Sequence, residues 1–139
     1  MNKEENEGKL KEEILTLVAY CKLLIHAVDD SPFEYPEVGE KFRELAHLFS
    51  RDRLTEVNAE ELERFLENYW KKLITDVCGF LKYHIENRKT RGQQFTKILR
   101  SIESLNDEIK YEECDIYLLQ DIYDADLRNI RDEIKEKLD

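Results

Sequence analysis

Apolar residues recur along most of this chain at steps of three and four, the spacing of one face of an α-helix. The pattern is longest in residues 58–91, where Asn58 and Glu61 predict an N-terminal cap with its reciprocal acceptor. The stripe expected to be buried there consists of Leu62, Phe65, Leu66, Tyr69, Leu73, Val77, Phe80, Leu81 and Ile85. A helix this long needs partner helices to cover its stripe, so we predict that it is the spine of the fold.

Shorter helices are predicted on both sides of the long one. The first runs from Lys9 to Val28 and stops before Pro32, because proline disfavours helical geometry at the residue before it. Pro36 suits the first turn of a second helix. Gly92 is a plausible C-terminal cap of the long helix, and Gly79 inside it indicates a kink or a close helix crossing. A fourth helix follows, and the pair at 106–107 is expected to loosen the chain around Lys110.

Asp115 is expected to cap the last helix. Its apolar stripe has a near-heptad rhythm, typical of a coiled-coil seam or a long bundle helix, and consists of Ile116, Leu119, Tyr123, Leu127, Ile130, Ile134 and Leu138. No Gly or Pro terminates this helix. It either frays at the natural end of the chain or continues into another domain.

These patterns predict an all-α fold, a helical bundle of four to five helices with one long central helix and a long C-terminal helix. Residues 1–8 are predicted to be a flexible tail and residues 9–139 a single helical-bundle domain. The predicted core contains Leu17, Leu24, Phe42, Leu45, Phe65, Tyr69, Leu73, Phe80, Ile98, Ile102, Leu119, Leu127 and Ile134. Trp70 lies beside the stripe and is expected to be half exposed, either as a partner contact or as the edge of the bundle.

Charge is distributed unevenly along the chain. Residues 1–70 and 101–139 each carry a net charge of −8, whereas residues 71–100 carry eight basic and two acidic side chains. The simplest interpretation is an electrostatic match between neighbouring helices. A chain with a net charge of −10 is also a poor default nucleic-acid binder, because phosphate neutralisation needs an accessible basic face.

The basic segment nevertheless supplies a candidate interaction surface. We call its cationic residues the basic strip: Lys82, Arg88, Lys89, Arg91, Lys97 and Arg100. Together with Trp70 they form the predicted interaction surface. The strip also supports an alternative function, in which the protein is an acidic helical subunit of a nucleic-acid-associated complex that binds through residues 82–100.

Other chemistry has little support in the sequence. Cys21, Cys78 and Cys114 are distant and odd in number, so we expect free buried thiols in a reducing compartment. The N-terminus lacks the apolar core of a signal peptide, and the apolar runs are too short to cross a bilayer. We therefore predict a cytoplasmic protein with no membrane partner.

No catalytic, cofactor-binding or metal-binding residue is predicted, and we do not expect an enzyme. Glu44 and His47 form one Glu-x-x-His pair, whereas a di-iron bundle site needs two such pairs and further carboxylates. The chain has neither a Gly-x-Ser-x-Gly elbow nor a glycine-rich phosphate loop.

Two segments, FTKILRSIESL at 95–105 and ADLRNIR at 125–131, resemble the helical region that precedes the catalytic domain in some bacterial GGDEF diguanylate cyclases. The resemblance implies a regulatory or dimerisation module that feeds a helical stalk. The Gly-Gly-Asp-Glu-Phe signature is absent, so no cyclase activity is implied for these residues. Together with the near-heptad last helix, this predicts a non-enzymatic signalling or assembly module that acts through helix–helix contacts, with a protein partner or as a homodimer.

Overall fold

The computed structural model describes residues 3–50, 55–86 and 95–138, and every element in these ranges is a helix. The first four helices are α1 (Lys3–Asp29), α2 (Pro36–Ser50), α3 (Glu56–Glu86) and α4 (Thr96–Tyr111). A continuous C-terminal helix follows, made of α5 (Ile116–Asp121), a π-helical segment (Ile122–Leu127) and α6 (Arg128–Leu138). The predicted all-α fold, with a long central helix and a long C-terminal helix, is confirmed. None of the described helices has the length and apolar character needed to cross a membrane.

The chain forms two compact units that divide within α3, between Tyr69 and Trp70. The first unit contains α1, α2 and the first part of α3, and the second contains the rest of α3, α4 and the C-terminal helix. The assignment of residues 9–139 to a single domain stays a prediction.

In the first unit, α1 packs on α2. The turn between them is held by Ser31, whose hydroxyl donates to the Val28 carbonyl at 2.7 Å and accepts the backbone N–H of Phe33 at 3.2 Å. Pro36 begins α2 as predicted, and Glu37 in its first turn suits the positive end of the helix dipole. The buried apolar residues of this unit are Ile14, Leu17, Cys21, Leu24, Ala27, Val28, Tyr35, Val38, Leu45, Ala59, Leu62 and Leu66.

Two predicted helix starts differ from the structure. Helix α1 begins at Lys3, within the segment predicted to be a tail, because its glutamates favour the first turns of a helix. Helix α3 begins at Glu56, so the predicted cap at Asn58 is wrong. Thr55 is the cap instead: its hydroxyl accepts the Asn58 N–H at 3.3 Å, and Asn58 Oδ1 accepts the Thr55 N–H at 3.0 Å. Asn58 is thus the reciprocal member of a capping box. The predicted C-terminal cap at Gly92 lies outside the described residues.

The buried face of α3 is rotated relative to the prediction. It consists of Ala59, Leu62, Leu66, Trp70, Leu73, Ile74, Val77, Cys78 and Ile85. Phe80, predicted to be in the core, is 38% exposed, and Phe42, Phe65 and Tyr69 are only half-buried. In the first unit, the half-buried rings of Phe65 and Tyr69 have centroids 4.5 Å apart, and the Lys41 ammonium lies 5.4 Å from the Phe65 centroid. Aromatic rings tolerate such half-wet positions better than aliphatic side chains do.

Helix α4 runs without interruption through residues 106–107 and ends at Tyr111, next to Lys110, where the chain is predicted to loosen. The helix continues past 106–107 because its buried stripe does, at steps of four, three and four through Ile98, Ile102, Leu105 and Ile109. Asp115 caps α5 as predicted, because its side chain accepts the Leu118 N–H at 2.9 Å.

The apolar stripe of the C-terminal helix is buried within the chain at six of its predicted positions, Ile116, Leu119, Tyr123, Leu127, Ile130 and Ile134. The side chain of the seventh, Leu138, is not described. The π-helical segment widens the turn by one residue, and both Ile122 and Tyr123 are buried there. The near-heptad seam is therefore used for internal packing in the second unit.

Candidate helix–helix interface

Helix α1 carries apolar residues on two opposite sides. Its buried side consists of Ile14, Leu17, Cys21, Leu24 and Val28. A second set, Leu15, Ala19 and Leu23, recurs at steps of four. At about 100° per residue these three lie within an arc of about 80°, on the side of the helix opposite the buried set. We call Leu15, Ala19, Leu23 and the neighbouring exposed His26 the outer face of α1.

The leucines of the outer face are accessible to a partner. Leu15 is 52% exposed and Leu23 is 42% exposed, and Ala19 between them is exposed as well. A single exposed leucine is ordinary on a protein surface. Two leucines and an alanine aligned over two turns of one helix instead form a short seam of the kind that packs against another helix.

Polar groups border this seam. On one side the Thr16 hydroxyl donates to the Glu12 carbonyl at 3.0 Å. On the other side the Lys22 ammonium lies 5.8 Å from the centroid of the Phe42 ring, which holds the lysine along the surface of its own unit. An apolar centre with a polar rim is the usual composition of a protein–protein contact.

Trp70 does not belong to any accessible surface. It is 1% exposed, and its ring meets Tyr123 edge to face with centroids 5.7 Å apart. The expected half exposure is wrong because Trp70 is buried, as are Leu73 and Ile74 after it in the second unit. The indole is a packing residue of the second unit.

The described part of the basic strip lies among carboxylates. Lys82 Nζ is 3.9 Å from Glu103 Oε1, between α3 and α4. Lys97 and Arg100 are exposed on α4 and line a groove whose walls also carry Asp126 and Glu133 of the C-terminal helix. Arg88, Lys89 and Arg91 lie outside the described residues. The neighbouring carboxylates favour the internal charge match over a nucleic-acid contact at the described positions.

Burial suppresses the chemistry of the three free thiols. Desolvation raises the pKa of Cys21 to about 11, against the attraction of the Lys41 ammonium, and raises the pKa of Cys78 to about 12. Burial also raises the pKa of Cys114, whose Sγ donates to the Glu108 carbonyl at 3.8 Å. Because the thiolate is the nucleophile, these thiols are unreactive at neutral pH.

Two further arrangements resemble ligand sites. Glu44 of the Glu-x-x-His pair forms an ion pair with Lys41 at 3.4 Å, and no group of three His, Cys, Asp or Glu side chains among the described residues could hold a metal ion. A surface groove of about 550 Å³ follows the turn between α1 and α2, with Phe33, Tyr35 and Arg43 in its lining. The Ser31 hydroxyl in this groove makes the hydrogen bonds that hold the turn itself.

Scans against models of protein families, curated proteins and solved structures found no match to this chain. The similarity to the helical region of GGDEF cyclases stays a prediction. The outer face of α1 is not among the predicted surfaces, because the apolar stripe predicted for the first helix leaves out Leu15 and Leu23 and no role is predicted for them. The sequence feature that reveals these two leucines is a second apolar set at steps of four, on the side of the helix opposite the buried residues.

Proposed function

We propose that this protein is a non-enzymatic helical assembly module that acts by helix–helix contact, as a homodimer formed through the outer face of α1. The observation that carries the proposal is the pair of half-exposed leucines, Leu15 and Leu23, aligned on the side of α1 opposite its buried residues. A second copy of the same face would remove these side chains from water.

The size of the face sets the expected strength of the dimer. Covering the exposed part of each leucine contributes about 1 kcal/mol, and a symmetric dimer covers four of them. A total of about 4 kcal/mol is no larger than the free energy lost on association, about 4 kcal/mol or more, so polar contacts must add to it and the dimer must be weak. We therefore expect a reversible dimer whose population follows concentration, which suits a regulatory element better than a permanent scaffold.

The wider role that we propose is a regulatory or dimerisation segment of a signalling protein in the cytoplasm. The similarity of residues 95–105 and 125–131 to helical regions of GGDEF cyclases supports the signalling role. The three free cysteines support a reducing compartment. In this role the pairing of α1 would bring two attached or associated output domains together.

The proposal is tested by sedimentation velocity from micromolar to near-millimolar concentrations, at low and high salt. We expect the wild-type chain to dimerise with rising concentration, with little dependence on salt, because the contact is mainly apolar. The double variant Leu15→Glu/Leu23→Glu should remain monomeric, because a dimer would bury four carboxylates in its seam.

Leu118→Glu is the matched control, because Leu118 is a similarly exposed leucine (40%) on α5, far from α1 in sequence. It should dimerise like the wild type. Circular dichroism of all variants verifies that the helices are intact. A wild-type chain that stays monomeric near 1 mM, or a double variant that dimerises normally, would contradict the proposal.

A further inference from the structure

The order of residues on the outer face of α1 fixes the direction in which a second copy can pack. We infer that the partner's α1 lies antiparallel to the first, with the two-fold axis of the dimer passing beside Ala19. This inference rests on the proposed function, because it specifies the partner and the register at the same face.

The apolar residues of the face are symmetric about Ala19. A two-fold axis at this residue places Leu15 opposite the partner's Leu23 and Leu23 opposite the partner's Leu15, since each leucine is four residues from Ala19. An isologous interface requires this reciprocity. Ala19 meets the partner's Ala19 on the axis, where its small side chain lets the two helices approach closely.

The charged residues are also complementary in this arrangement. Glu12 and His26, both exposed and both seven residues from Ala19, lie opposite each other across the axis. Each carboxylate therefore meets an imidazole, which can donate a hydrogen bond to it. Lys11 and Asp29 share one flank of the face, and the axis brings Lys11 to within about two residues, or ~3 Å along the helix, of the partner's Asp29.

A parallel dimer lacks this complementarity. In register, it would place Glu12 beside the partner's Glu12 and would leave His26 without an opposing carboxylate. The two Glu12 carboxylates would repel each other, and the two helix dipoles would point the same way. The sequence of the face therefore favours the antiparallel direction, while its leucines would suit either.

The experiment uses the full chain with single cysteines introduced at exposed positions, oxidised near the dimer's dissociation constant and analysed without reductant. Ala19→Cys alone should form a covalent dimer, because the axis places it next to its own copy within disulfide distance. Leu15→Cys alone and Leu23→Cys alone should not, since each is about 12 Å along the helix from its own copy. An equimolar mixture of Leu15→Cys and Leu23→Cys should cross-link.

The wild type is the control for the buried native thiols, and Ser104→Cys on the exposed side of α4 is the control for random collision. Self-cross-linking at all three α1 positions would show a parallel dimer and overturn this inference while keeping the proposed function. No cross-linking at any of them, in a chain that sedimentation shows to be dimeric, would overturn both, because the interface would then lie elsewhere.

Discussion

Helix α1 and the C-terminal helix both carry apolar side chains at helical spacing, but the chain covers them differently. The near-heptad stripe of the C-terminal helix is buried along its described length. The second apolar set of α1, which is much shorter, is left exposed. A strong periodic pattern therefore predicts that a face will be buried. It does not predict whether the face is buried within its own chain or against a partner. The apolar positions that remain after internal packing are better evidence for a partner than the most regular stripe.

The largest effect should come from a pair of substitutions at neighbouring residues that lie on opposite sides of α1. Leu24→Ala removes a fully buried side chain and should lower the free energy of unfolding by about 2–5 kcal/mol. Leu23→Ala, one residue earlier on the outer face, should change it by less than about 0.5 kcal/mol in the monomer while weakening the dimer. Urea unfolding at micromolar concentration measures the first effect, and sedimentation measures the second. Equal losses of stability would contradict the two-sided description of α1.

The buried side of α1 should also make the protein sensitive to alkali through Cys21. The folded chain retains thiol protons up to pKa values of about 11 for Cys21 and about 12 for Cys78, whereas an unfolded thiol loses its proton above about pH 9. The native state then binds more protons, so stability falls as pH rises above 9. The slope approaches about 1.4 kcal/mol per pH unit for each thiol.

Urea midpoints at pH 8, 9 and 10 measure this slope. Cys21→Ala is the control, because removing one buried thiol should make the slope shallower, whatever its cost in packing at pH 8. A variant with the same slope as the wild type would rule out Cys21 as a source of the alkaline effect.

A smaller effect is expected at the start of the C-terminal helix. Asp115→Ala removes the side-chain acceptor of the Leu118 N–H and should cost about 1 kcal/mol, since a helix N–H loses its cap. Asp121→Ala, an exposed position at the end of α5, is the matched control and should be nearly neutral. Thermal unfolding followed by circular dichroism distinguishes them, and equal melting temperatures would contradict the role of the cap.

The smallest effect should be a gain in stability at the N-terminal end of α1. A Cβ at Gly8 would meet no atom within 4 Å, so Gly8→Ala adds helix propensity without a clash. We expect a gain of a few tenths of a kcal/mol, up to about 1 kcal/mol, limited by the nearness of the helix end. Gly79→Ala, well inside α3, where a Cβ also has open space, is the comparison and should gain more. A loss of helicity in Gly8→Ala would contradict the described start of α1.

The helices and much of the aliphatic core could be predicted from the sequence, because long stripes of leucine and isoleucine at steps of three and four form the faces along which helices pack. Ile98, Ile102, Leu119 and Leu127 are examples. Aromatic residues were less predictable, since a ring can cover the edge of a unit as readily as fill its centre. Phe80 lies at the surface and Trp70 in the core for this reason, contrary to expectation.

The candidate interface was harder to predict than the fold. Apolar residues occur on both sides of α1. Burial distinguishes the two sides, because Leu24 is buried whereas its neighbour Leu23 is exposed. Charge was informative in one respect. The excess of basic residues between acidic segments was interpreted as an internal match, and the Lys82–Glu103 pair agrees with that interpretation.

The π-helical segment at Ile122–Leu127 determines where the C-terminal helix can gain or lose a single residue. A π turn holds one residue more than an α turn. The side chains on either side of the segment therefore point in the same relative directions as they would in a regular α-helix without the extra residue. Deletion of the exposed Ala125 should convert the segment to a regular helix and leave Leu119 and Ile130 facing the same core. A deletion inside α4, by contrast, would rotate every later residue of that helix by about 100°. Among homologues of different length, we expect the C-terminal helix to gain or lose a residue at this turn.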